Sequence, residues 1–380
     1  MMPAFPEIVV SLTIQCTFVL LLTRCLVRRA ANSIAADRLW SCGHLMILLL
    51  SLAGVLLPHL RLFRSESLLS LCHQATMFPI SQTFWTIVFW TWVSVASVLI
   101  VNLLRSLTQM SLTLRHATPV LIRQTATTRP DSVCADIGST SFRESSTAEL
   151  DTLNVRIVTA DSCFTPFCWQ LHQPVIVLPV SVTQFPDEEL FAVVRHELAH
   201  LKLGHPMMLF LQRLVEIGFW FHPLVWRASK AASMQRELAA DRTANGSSAE
   251  VAGFLRSLMR LSVPSFARPH ILPVGLNLFA RDVSMVQRRV DQLLSIDWSR
   301  PHCEKNSQSE SETRGRTRLL AVASVMLTAI WIPLNSEATG RALFSPWPSS
   351  TATLLQEVGF SVRDYELDSH RVSEQFHAED

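Results

Sequence analysis

Four stretches of this chain stay apolar for long enough to cross a lipid bilayer, and no other feature limits its fold as strongly. A spanning helix needs roughly 17–25 apolar residues, because inside hydrocarbon every backbone polar group must be satisfied within the segment. The stretches are residues 6–22, 39–60, 84–104 and 319–334, the last being the shortest. Composition agrees: 17% of the 380 residues are charged, against about 25% in ordinary globular chains, and mean hydropathy is +0.27. The first stretch has no basic leader and no small-residue cleavage signature, so it reads as a retained anchor. A fifth apolar run, residues 207–226, contains Gln212, Arg213, Glu216 and His222. Such groups are costly in lipid, so this run is expected to be a buried or membrane-grazing helix pair.

Arginines set the expected orientation, since cytoplasmic loops carry the basic excess. Arg24, Arg28, Arg29 and Arg38 follow the first stretch, Arg105, Arg115, Arg123 and Arg129 follow the third, and Arg314, Arg316 and Arg318 precede the fourth. The loop between the second and third stretches has only Arg61 and Arg64, and the residues after the fourth are acidic on balance. The expectation is a multi-pass protein of the cell (inner) membrane, with both termini outside and the central region in the cytoplasm. A formal net charge of +2 gives no reason to expect direct nucleic-acid binding; the lipid bilayer is the partner that composition implies. The eight cysteines follow no metal-binding spacing and read as free thiols in a reducing compartment, with Cys163 and Cys168 as inert core.

The central region carries the chemistry. Residues 155–159 and 175–178 are β-branched runs bounded by turn residues, hence strands. Pro186 and the acidic Asp187, Glu188 and Glu189 then suit the first turn of a helix. That helix contains His196-Glu197-Leu198-Ala199-His200. Histidines at i and i+4 share one face, so both imidazoles can reach one Zn2+. A helix break at His205-Pro206, a second helix and a turn at Phe221-His222-Pro223 bring the chain back to Arg236-Glu237-Leu238-Ala239-Ala240-Asp241. Glu237 can complete a His2Glu set with a fourth position open to water. Asp241, one turn on, can hydrogen-bond a ligand histidine. Glu197 follows the first ligand and can act as the general base toward a water that the metal acidifies. His222 is a candidate oxyanion donor, though packing in its aromatic turn explains it more readily. His205 reads as a polar residue at a helix end. Glu237 and Asp241 taken alone could form a solvated face with Arg236 and Arg242.

Five stretches in order resemble the BlaR/MecR-type antirepressor metallopeptidases, membrane zinc peptidases of the gluzincin kind. They are Thr165-Pro166-Phe167 with Pro174-Val175-Ile176-Val177-Leu178-Pro179, residues 195–200, Phe221-His222-Pro223-Leu224-Val225-Trp226, residues 236–241, and Arg289-Val290-Asp291-Gln292-Leu293-Leu294. The resemblance implies His196, His200 and Glu237 as ligands of one zinc, Glu197 as catalytic base, and a substrate cleft lined by Val175, Ile176 and Val177, where an extended peptide would pair. It implies a protein substrate: the chain itself and/or a cytosolic transcriptional repressor. A homodimer is compatible with it. Antibiotic-sensing members carry a penicillin-binding domain after the fourth span. Here residues 337–380 contain no lysine and so no Ser-x-x-Lys site.

The expected fold is therefore mainly α: a polytopic membrane protein with four transmembrane helices and a cytoplasmic α+β gluzincin zinc-peptidase domain. The expected division is three transmembrane helices in 1–105, a linker in 106–150, the metallopeptidase domain in 151–300, a juxtamembrane linker in 301–317, a fourth transmembrane helix in 318–336 and a short extracytoplasmic tail in 337–380. Two other functions compete with signalling proteolysis. One is constitutive membrane quality control by a related zinc protease; the other is a non-proteolytic receptor or scaffold.

Overall fold

The computed structural model describes residues 5–58, 82–119, 154–160, 163, 165–170, 173–262, 283–296, 298, 303–327, 331, 349–360, 366–367 and 370–371. Most of the expected linker at 106–150, most of the loop between the second and third apolar stretches and most of the acidic tail lie outside them; the start of that linker, as far as His116, is helical.

The described structure is mainly helical. Three helices are long and apolar enough to cross a membrane: α1 (Phe5–Arg28), α2 (Ser33–Leu56) and α3 (Gln82–His116). α1 and α3 outrun their apolar stretches at both ends, whereas α2 begins before its own and ends at Leu56, short of the expected 60. α2 starts at Asn32, whose side chain accepts from the Ala35 amide at 2.8 Å. α3 has few inward contacts and leaves Phe84, Ile87, Trp90, Val98, Val101 and Leu104 exposed, as a helix facing lipid tails would. The fourth apolar stretch begins inside α9 (Cys303–Leu327), and its second half lies largely outside the described residues. The polar stretch expected as a juxtamembrane linker is thus helical from Cys303 onward.

A four-stranded sheet precedes the zinc-motif helix. It consists of β1 (Thr118–Pro119), β2 (Arg156–Ala160), β3 (Phe167–Trp169) and β4 (Val175–Pro179), in the order β1-β2-β4-β3. β2 and β4 are parallel, with Val158 opposite Val177; β3 is antiparallel to β4, with Cys168 opposite Ile176. β2 and β4 lie one residue or less from the expected strands. β3 was not expected, because three residues containing a cysteine show no alternation.

Four helices follow: α4 (Asp187–Lys202), α5 (His205–Gly218), α6 (Pro223–Ala244) and α7 (Ser248–Ser262). α8 (Val283–Ser295) comes before α9. The run at 207–226 is indeed divided between two helices, α5 and the start of α6. Gln212 and Glu216 are buried in it, and Gln212 links Glu216 at 2.9 Å to Arg236 at 2.7 Å. The break before α5 falls one residue earlier than the His205-Pro206 pair. Gly204 takes φ +69°, and that left-handed residue turns the chain between α4 and α5.

Two apolar clusters position the site. One face of α4 (Val193, Val194, Leu198, Leu201) packs on Ile157, Ile176 and Leu178 of the sheet. Another joins α1 and α2 (Val19, Leu20, Leu39, Trp40, Ile47) to Val215 and Phe219 of α5, Val225, Ala228 and Ala232 of α6, and Leu320 of α9. The helices expected to form separate membrane and peptidase units therefore share one core, and α2 packs directly on α5 and α6.

Candidate metal centre

α4 and α6 approach closely where Ala199 meets Ala240 and Ala244. Small side chains there let a ligand helix and its partner come near enough for their polar residues to share a cation. Nε2 of His196 and Nε2 of His200 are 3.2 Å apart. Glu237 Oε2 is 3.5 Å from His196 Nε2, and Glu237 Oε1 is 3.8 Å from His200 Nε2. Ligands held tetrahedrally at about 2.0–2.1 Å stand about 3.3–3.4 Å from one another. All the donors lie within 4.8 Å of one another, so the residues present fit a zinc ion. Arg289 also reaches two of these atoms, with Nη2 3.4 Å from His196 Nε2 and Nη1 3.1 Å from Glu237 Oε2.

Around this set lies a second layer of contacts. Asp241, 1% exposed, places Oδ1 3.0 Å from His196 Nδ1, which aims the opposite nitrogen at the donor cluster. Phe254 of α7 stacks on the His196 ring at 5.2 Å between centroids. Arg289 of α8 donates to Asp241 from Nε at 2.8 Å and from Nη2 at 2.7 Å, lies 3.1 Å from Glu237 through Nη1, and sits over the Phe254 ring.

These contacts set the protonation states. Burial works against the charged form of Glu237, but Arg289 and His196 outweigh it and hold the carboxyl well below the usual range. Asp241 is likewise held low by Arg289 and His196 against its burial. Burial also opposes charging of His196, yet hydrogen bonds to Asp241 and Glu237 push its pKa up to about 9. A cation at the cluster would take the place of that proton. Burial raises Glu197 to about 7, with Glu237 adding to the shift against His196. Glu197 is thus placed to take up and return a proton near neutrality.

The structure brings His196, Glu197, His200, Glu237 and Asp241 together. It does not bring His222 to them: His222 Nε2 is 2.9 Å from Thr17 Oγ1 of α1, so its ring ties α6 to the membrane bundle. Val175, Ile176 and Val177 are almost wholly buried, and β4 is hydrogen-bonded along both edges, to β2 and to β3. An added peptide strand cannot pair with β4, which corrects the expectation; β3 has the outer edge on this side of the sheet. β3 also packs on α4. Its Cys168 packs against the core, where burial and the nearby Glu197 and Glu237 carboxyls raise the thiol's pKa and keep it protonated, and it hydrogen-bonds Glu197. Arg289 was legible only as the first residue of a recurring stretch, and nothing in its spacing announced a role at the metal site.

A helix-borne histidine pair, an adjoining buried glutamate and a carboxylate from a second helix define the class: a metallopeptidase-type site, here joined to a membrane bundle. The family model described as BlaR1 peptidase M56 matches residues 4–293, and the chain belongs to that family. The chain is also similar to Regulatory protein BlaR1 of Bacillus licheniformis, with 34% identity over 77 residues, which is 20% of this chain and 13% of that relative. The similarity thus spans far less than two thirds of the relative.

Proposed function

We propose that the chain is a membrane-embedded zinc endopeptidase of transmembrane signalling, which hydrolyses peptide bonds of itself and/or a cytosolic transcriptional repressor. The observation that carries this reading is the convergence of His196, His200 and Glu237 beside Glu197. Zinc, when bound by those three residues, supplies Lewis acidity toward a water and a scissile carbonyl. Glu197 accepts a proton from the attacking water and returns it to the leaving amide nitrogen, giving one carboxylate and one amine product. Asp241 keeps His196 oriented, and Arg289 holds Asp241 and Glu237 in place. The outer edge of β3 offers backbone groups to an extended peptide, and Cys168 on that strand places the edge beside Glu197.

The regulatory part of the proposal rests on family and architecture. The relative named above is a regulatory protein, and here the ligand helices share a core with candidate membrane spans. The arginine distribution favours a cytoplasmic peptidase face and outward termini. The test maps new protein N-termini in membranes bearing the wild-type chain or Glu197→Gln, with and without a zinc chelator. Cuts in the chain itself or in one soluble regulator, absent from both the variant and the chelated sample, are expected. Cuts spread over many membrane proteins would instead assign quality control. Cuts that persist in Glu197→Gln would overturn the assignment of the base.

A further inference from the structure

His205 and Asp37 have no part in the catalytic set, yet both are almost completely buried, at 2% and 3% exposure. His205 Nδ1 is 2.7 Å from Nδ1 of the ligand His200, and His205 Nε2 is 3.2 Å from Asp37 Oδ2. Asp37 is on α2, one of the three helices apolar enough to span a membrane. A buried carboxylate on such a helix is costly unless it has a partner and a purpose. The three groups form one line from a membrane helix, through the first residue of α5, to a metal ligand on α4.

The chemistry permits one arrangement of protons along that line. His200 turns Nε2 toward His196 and Glu237, so a neutral ring that gives this nitrogen to a cation carries its hydrogen on Nδ1. His205 Nδ1 must then accept, which puts the hydrogen of His205 on Nε2, where the Asp37 carboxylate accepts it. The opposite tautomer of His205 would set two N–H groups against each other across 2.7 Å. We infer that Asp37 and His205 are positioning residues for His200, so that a membrane-spanning helix supplies the group that fixes a zinc ligand's tautomer and orientation. The inference rests on the His2Glu zinc reading given above.

α2 also reaches the other ligand helix, since Ser33 Oγ donates to the Leu238 carbonyl at 3.1 Å, one residue after Glu237. Movement of α2 against α5 would therefore separate Asp37 from His205 and release His200 from its fixed tautomer.

The test measures zinc affinity of the full-length chain in detergent micelles by competition with a chromophoric chelator, with Co2+ absorption as a second readout of ligand geometry. Outer groups of this kind contribute about 10–100-fold to metal affinity. Asp37→Asn and His205→Ala are each expected to lose that much, and to alter the Co2+ spectrum, while remaining folded. His205→Asn places its Oδ1 where His205 Nδ1 lies and can accept from His200 with no help from Asp37. It should hold zinc within about threefold of wild type, well inside the loss set by that contribution, and should make a further Asp37→Asn change silent. Wild-type affinity in folded Asp37→Asn and His205→Ala, or an equal loss from Asp37→Asn in the His205→Asn background, would overturn the inference. His200→Ala separates the two levels. If it too leaves zinc binding unchanged, the metal site itself is wrong; if it abolishes binding while the other variants are silent, only the positioning role fails.

Discussion

Replacing Arg289 by methionine should destabilise the metal-free protein out of proportion to one surface arginine. The side chain is 12% exposed, that of Asp241 1%, and three contacts of 2.7–3.1 Å tie the guanidinium to Asp241 and Glu237. Methionine keeps most of the volume but leaves the buried Asp241 and the part-exposed Glu237 with the His196 imidazolium in place of the guanidinium. Removing one partner of a buried ion pair costs about 3–5 kcal/mol. Domains of about 150–250 residues shift by about 2–4 °C per kcal/mol and longer chains by less, so the unfolding midpoint should fall by roughly 10 °C or less. Asp241→Asn alone leaves Arg289 with Glu237 and should cost about 1–3 kcal/mol. In the double variant the orphaned charge at 241 no longer exists, so its cost should fall short of the sum by about 1–3 kcal/mol. Thermal unfolding of zinc-stripped protein in micelles, followed by tryptophan fluorescence, gives all three numbers. Additive effects within about 0.5 kcal/mol would refute the claim that Arg289 compensates these carboxylates.

Gly204 has φ +69° with open space where a Cβ would stand, so Gly204→Ala should cost about 1 kcal/mol through backbone strain alone; a denaturation midpoint equal to wild type would contradict this. Gly43 lets α1 approach α2: a Cβ there would stand 2.7 Å from Thr23 Oγ1, so Gly43→Ala should lower thermal stability and Thr23→Ala should restore part of it. A double variant no more stable than Gly43→Ala would contradict that contact. Glu197→Gln should retain wild-type zinc affinity within a few-fold while losing peptidase turnover, since Glu197 is not among the three residues whose ligand atoms converge; co-loss of metal, read by elemental analysis, would make it a ligand.

The candidate metal set was legible because two of its residues obey a single-helix spacing and the third falls in a second compact stretch. The same local logic put Asp241 one turn from Glu237. What sequence could not show was pairing across distant elements. Arg289 reaches Asp241 from 48 positions away, and Asp37 reaches His205 from 168. Neither distance leaves a periodic trace. His205 was read as a helix-end residue because its partners come from α2 and α4, not from its own turn. The edge strand β3 escaped notice because three residues are too short to alternate, so Cys168 could be read as core but not placed beside Glu197. Val175–Pro179 was legible as a strand but not as one enclosed on both edges, since register with β2 and β3 is a tertiary property. The spans were read from length and hydropathy, yet nothing in those quantities foretold that α1 and α2 would share their core with α5 and α6.

The central claim is that His196, His200 and Glu237 hold one zinc ion. Zinc K-edge X-ray absorption on the purified full-length chain, with metal content measured on the same sample, tests it most directly. One zinc per chain is expected, surrounded by nitrogen and oxygen at about 2.0–2.1 Å, two imidazoles among them, and lost in His196→Ala and in His200→Ala. A sulfur scatterer near about 2.3 Å, which would bring in a cysteine such as Cys168, or zinc that survives both substitutions, would contradict it.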